Sequence, residues 1–208
     1  MSGLEKLPPG QYGETERYHW DSGGEVCDLF VEIREVPEQW LEPLWELYDE
    51  CLHTDDTAQQ QSCYDRETFM AAMGDPDYIR VVLLLDGVPR GLILTTTNLD
   101  KAAITYINTD MIRKRYPAEV AEGRFMYITS VYVSPVVRNL GFIKLMATAP
   151  VRIALERDYV ISCDVSDNSL FLVDMMMALA REQGEEVEKD LLGSQHYFAV
   201  KRVSQGTS

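Results

Sequence analysis

Basic residues are scarce in this 208-residue chain: 19 Lys and Arg stand against 34 Asp and Glu, a formal net charge of −15. Nonspecific affinity for nucleic acid comes from Lys and Arg neutralising phosphates, so no nucleic-acid partner is expected. The same shortage argues against docking on an anionic membrane surface. Long apolar runs are missing too. The longest, such as VVLLL at Val81–Leu85, are far too short to span a bilayer. Histidine is rare, and His19, His53 and His196 are scattered with no second ligand at i+4, so no metal is expected. The cysteines Cys27, Cys51, Cys63 and Cys163 show no CxxC and no short regular spacing. They read as reduced, mostly buried thiols in a cytoplasmic protein. The opening residues, MSGLEKLPPGQYGE, hold no apolar core behind a basic flank, so no secretory leader is expected.

What is present is ordinary globular composition, with 46% apolar and 25% charged residues. The length suits one large domain. Residues 1–25 are rich in Gly, Pro and charge without a period, and read as a flexible arm on which Tyr18 and Trp20 could still dock. Residues 26–203 read as a single domain and residues 204–208 as a disordered tail. Charge is unevenly spread: residues 28–75 carry 13 acidic and 2 basic groups, net −11, whereas residues 109–157 carry 8 basic and 4 acidic, net +4. One segment can attract a cation and another an anion, unless the acidic segment is only a solvated face that aids solubility.

The apolar pattern alternates over Asp28–Val36, predicting a strand. Pro37 then opens a helix with Trp40, Leu41, Leu44, Trp45, Leu47 and Tyr48 at helical spacing, although Pro43 argues for a late start. Asp65–Met73 reads as a second helix with Asp65 as its cap. Tyr78–Leu85 and Val88–Thr97 flank Asp86-Gly87, a strong hairpin signal. Ala102–Ile107 reads as a further short strand, and Thr109 or Asp110 can cap a helix running to Tyr116. Phe125–Val133 predicts a strand, Gly141–Asp158 a helix kinked or split at Pro150, and Tyr159–Asp164 another strand. Ser169–Gln183 predicts a last helix, followed by strands over Glu186–Lys189 and Gln195–Arg202. The fold class is α/β (α+β), with a mixed sheet flanked by helices.

The chemistry concentrates in Val131–Met146, VYVSPVVRNLGFIKLM. A strand, a short loop and a helix start make an anion site, because free N–H groups and the helix dipole face outward there. Arg138 and Lys144 lie beside it in sequence, and pyrophosphate suits such a cradle. The segment resembles the acyl-CoA-binding motif of the GNAT superfamily of N-acyltransferases: a strand ending V-x-P, then x-x-[R/Q]-x-x-G-x-[G/A], then a helix. Val133 and Pro135 fill the first part, Arg138 the Arg/Gln position and Gly141 the central glycine. Ile143 stands where the family has a small residue, where it could crowd the pyrophosphate, and Asn139 where Gly is common. The likeness runs over residues 27–202 as an order of elements, and Asn168 matches the asparagine before the fourth helix. It implies a mostly antiparallel sheet and an acyl-CoA co-substrate, acetyl-CoA first. Val131 and Val133 would pair with the pantetheine arm, the amides of Asn139, Leu140, Gly141, Phe142 and Ile143 would cradle the pyrophosphate, and Arg138 and Asn168 would complete the site.

The family's proton carriers are not where the motif would put them. No tyrosine falls between Tyr159 and Tyr197, so the usual acid on the fourth helix is absent. The motif strand FMYITSVYV carries no carboxylate. Asp164 instead replaces an aliphatic residue on the next strand, sharing a face with Ser162 by period 2. It reads as the general base, or else as a wet strand end capping the turn with Asp167. Cys163 reads as core, His196 as structural more than basic, the Met175–Met177 run as helix packing, and Arg113-Lys114-Arg115 as a lid or a solvated face.

The expected function is therefore acyl-CoA-dependent transfer of an acyl group, acetyl first, to an amine. The acceptor is a small molecule or peptide, cationic if the acidic segment takes part. Two alternatives stay open: a GNAT-like binding or regulatory module with weak or no turnover, and a long-chain N-acyl transferase acting on an amino acid. The assembly reads as monomer or homodimer.

Overall fold

Asp86 and Gly87 both take positive φ, 50° and 78°, and turn the chain between β4 (Tyr78–Leu85) and β5 (Val88–Thr96), as their sequence predicts. This hairpin is the centre of a seven-stranded sheet. The computed structural model describes residues 4–7, 16–22, 25–31, 33, 35–54, 64–102, 109–137, 141–165 and 170–193. Before the hairpin come β1 (Leu4–Leu7), β2 (Glu16–Ser22), β3 (Glu25–Val31), α1 (Glu38–Thr54) and α2 (Arg66–Gly74). After it come α3 (Thr109–Arg115), α4 (Pro117–Ala121), β6 (Phe125–Val133), α5 (Phe142–Glu156), β7 (Val160–Cys163) and α6 (Phe171–Glu182). Strands lie side by side in chain order. Every pair is antiparallel except β6 with β7, which α5 connects. The class is the expected one: a mixed, mostly antiparallel sheet flanked by helices.

Period-2 alternation sends one set of strand residues to each face. Leu29, Val31, Val81, Leu83, Ile93, Met126 and Ile128 pack under Phe142, Leu145, Met146, Ala149 and Ile153 of α5. Phe30, Val82, Leu84, Leu92, Leu94 and Tyr132 pack on the other face under α1 and α2, against Trp40, Leu44, Leu47, Tyr48, Phe69 and Met73. Burying each such side chain contributes about 1.5–3 kcal/mol. Gly91 lets α5 come close, since a Cβ there would collide with the Met146 sulfur and lie 2.8 Å from its Cε.

Several local expectations change. Pro150 does not split its helix in two: α5 runs unbroken over Phe142–Glu156 with Pro150 buried in it. Its apolar face on the sheet offsets the hydrogen bond lost to proline, a cost of about 3 kcal/mol. α1 likewise starts at Glu38 despite Pro43. The first predicted strand is shifted, ending at Val31 instead of Val36. β1 and β2 fall inside the stretch read as an arm, and β2 pairs with β3 from Glu16↔Val31 to Ser22↔Glu25. Their runs were too short to show a period. Glu186–Lys189 forms no strand. The readings at 103–107 and 195–202 lie outside the described residues.

Candidate active site

β6 and β7 part company halfway along β6. They pair in parallel from Phe125↔Val160 to Ile128↔Cys163, and from Thr129 onward β6 has no β7 partner. On the other side of β6, its register with β5 passes from Leu94↔Ser130 to Thr95↔Ile128, so Thr129 is an extra residue, a β-bulge. The Thr129 hydroxyl donates to the Leu94 carbonyl at 3.1 Å and pins it. A bulge bends its strand and adds twist. Beyond Ile128↔Cys163 the β6 edge has no strand partner among the described residues, a slot walled on one side by β6 backbone.

The bulge also resets which residues share a face. Phe125 and Tyr127 before it bury with Ile112 of α3 and Val120 of α4, whereas Tyr132 after it buries with α1, and Ser130 is buried as well. Tyr132 meets Tyr48 of α1 edge-on, ring centroids 4.8 Å apart, and burial pushes its phenol pKa well up. Ser130 is 5% exposed, and its hydroxyl has no direct hydrogen-bond partner among the described residues.

Tyr127 is aligned with Ser162, and Asp164 follows two residues later on the same face. The Tyr127 phenol donates to Asp164 Oδ1. Tyr127 is 2% exposed and Asp164 half-buried, and the pair sits at the end of the β6–β7 ladder, where the slot begins. Cys163 points the opposite way, into the core beneath α5, and burial pushes its thiol up to about 12. A thiol that stays protonated is a poor nucleophile.

At the other end of β6, the Val137 amide donates to the Ser134 carbonyl at 2.9 Å, turning the chain toward α5. Arg138, Asn139 and Leu140 lie outside the described residues, as do Asn168 and His196. Gly141 is the N-cap of α5 at φ +77°, with open space where a Cβ would stand. That left-handed conformation favours glycine, which explains the motif position. Phe142 is buried beneath the sheet face, and Ile143 packs against the same core. The Ile143 side chain is half-buried against that core. Val131 is half-buried on the α5 side and Val133 buried. Lys144 is spent on Glu182 of α6 at 2.9 Å. Two residues of the basic run pair within the chain: Arg113 binds Asp100, and Arg115 binds Asp190 at 2.9 Å, where Tyr116 donates at 2.8 Å.

Sequence reasoning passed over Tyr127. Alternation along a strand says which face a residue takes but not which residue lies beside it on the next strand. Aligning the starts of the two predicted strands, Phe125 with Tyr159, would set Tyr127 beside Ile161; the observed register is one residue on, Phe125↔Val160, and only that places Tyr127 next to Ser162 and diagonal to Asp164.

No family model matches this chain, and no curated protein does. Solved structures do. One is an aminoglycoside acetyltransferase from an uncultured soil metagenomic sample, in complex with trehalose. It is 14% identical over 84% of this chain and 97% of that chain, at a TM-score of 0.50. Another is the aminoglycoside N-acetyltransferase AAC(6')-Iy in complex with CoA, 16% identical over 85% of this chain and 99% of that one, TM-score 0.47. At these identities the likeness is one of fold.

Proposed function

This chain has the fold of a GNAT N-acyltransferase, and on that premise we propose that it transfers an acyl group, acetyl first, from coenzyme A to an amine. The observation that carries the reading is the parting of β6 from β7 at Thr129. It leaves strand backbone facing a slot, and an extended amide-bearing arm such as pantetheine can pair with that backbone as another strand would. Val131 and Val133 supply that wall. The amides at Gly141, Phe142 and Ile143, with residues 138–140, would hold the pyrophosphate at the start of α5. Asn168, by the resemblance, would complete the site.

Attack on the thioester needs an amine with a free lone pair. Asp164, where the slot begins, takes the proton from the attacking nitrogen. Most of the remaining rate comes from holding the two reactants together. The acceptor we favour is cationic. Glu38, Glu42, Glu46, Asp49 and Glu50 line the exposed face of α1, and the neighbour in complex with trehalose is by name an aminoglycoside acetyltransferase.

A second reading is a binding module without turnover, favoured by α6, which carries no tyrosine. Incubating the protein with acetyl-CoA and a panel of amines, and following free thiol, tests both. Thiol release dependent on an amine is expected. Heat of acetyl-CoA binding without thiol release favours the module, and no heat at millimolar acetyl-CoA overturns the assignment.

A further inference from the structure

We propose that Tyr127 and Asp164 form a two-residue proton relay, in which Tyr127 is the acid that protonates the departing CoA sulfur. The proposal rests on the acyltransferase reading above and deepens it. Three observations on the structure converge. The family position for an acid is empty, because α6 reads FLVDMMMALARE. Asp164 directly follows Cys163, the last residue paired to β6, so its carboxylate stands where the slot opens. The phenol of Tyr127 donates to that carboxylate, so its oxygen stands at the same place although its ring is buried.

The two groups divide the chemistry without a third participant. As the neutral amine attacks, its lone pair forms the C–N bond and the carbonyl π pair moves to oxygen. The nitrogen proton passes to Asp164. When the tetrahedral intermediate collapses, the C=O bond re-forms and the C–S pair leaves on sulfur. Sulfur takes the Tyr127 phenol proton, and the phenol oxygen takes the proton that Asp164 had accepted. Products are the amide and the free thiol, and both side chains return to their starting state. Alone, a phenol with pKa near 10 would be a slightly weaker acid than an ordinary thiol near 8.5. The proton waiting on Asp164 behind it makes the transfer favourable.

The test must separate an acid from a side chain that only positions Asp164. With the Tyr127→Phe variant, kcat should fall by about 10²–10⁴ with acetyl-CoA affinity within threefold of the parent. Replacing Tyr127 by 3,5-difluorotyrosine keeps the shape and the hydrogen bond while making the phenol more acidic. It should move the alkaline limb of the kcat profile to lower pH. An alkaline limb unmoved by fluorination overturns the relay, as does a Tyr127→Phe variant within threefold of the parent in kcat. A parent that binds acetyl-CoA but releases no thiol with any amine overturns the transferase reading itself, and the relay with it.

Discussion

Asp164 and Cys163 are neighbours in sequence with opposite environments, because successive strand residues face opposite sides of the sheet. Asp164→Asn keeps the shape and can still accept from Tyr127, but it cannot take a proton. Turnover should fall by about 10²–10⁴ with CoA affinity little changed, as steady-state kinetics and calorimetry would report. Cys163 should be inert. With its thiol pushed up to about 12 by burial, it stays protonated through the neutral range, and native protein treated with iodoacetamide at pH 8 should leave it unmodified. Peptide mapping should find it alkylated only after unfolding. Asp164 stood out in the sequence because a charge sits where an aliphatic residue belongs. Its partner Tyr127 did not, because the contact spans 37 residues and depends on strand register.

Among the elements, those closed by local chemistry were readable in advance. Asp86-Gly87 makes its turn, β6 has its predicted bounds, and Asp65 caps α2 by accepting from the Thr68 amide at 2.7 Å. Elements decided by tertiary packing were not, and the uninterrupted α5 across Pro150 is one case. Arg80 is another. It sits on β4 fully buried, an unusual place for a guanidinium. It donates to the carbonyls of Ala72 at 2.6 Å, Tyr78 at 3.0 Å and Ile33 at 3.2 Å, and also to that of Asp75. Two of these carbonyls belong to the end of α2, where the helix has no donors of its own. Burial lowers its pKa to about 10, so it remains charged at neutral pH. Each buried acceptor stripped of its donor costs about 1–3 kcal/mol. Arg80→Met should therefore lower the unfolding free energy by about 4 kcal/mol or more in urea denaturation, without touching residues of the slot.

Across the whole molecule, charge and fold divide the labour. Of the net −11 over residues 28–75, −5 falls on α1, which packs on the sheet face that Tyr132 shares. Only part of it is neutralised locally, for instance Glu42 by Arg66 at 2.5 Å. Exposed charges act over about 8–10 Å at physiological ionic strength. KM for a polyamine or an aminoglycoside-like acceptor should rise as salt is added, while KM for a neutral amine stays flat. A flat KM for both would leave the acidic face with no part in recognition. This asymmetry was plain from composition, whereas the slot was not, because it depends on where the β6–β7 ladder ends.

The short ladder at that slot has a consequence for motion. β7 is tied to the sheet through four residue pairs only, while β4 and β5 are paired along their whole length. Cooperative units with few backbone partners open at a cost well below that of global unfolding. Amide hydrogens of Val160–Cys163 should therefore exchange with deuterium sooner than those of the central hairpin. A donor lying between β6 and β7 fastens both walls at once. Saturating acetyl-CoA should slow exchange most strongly at β7, so that a strand held by few pairs records the filling of the slot.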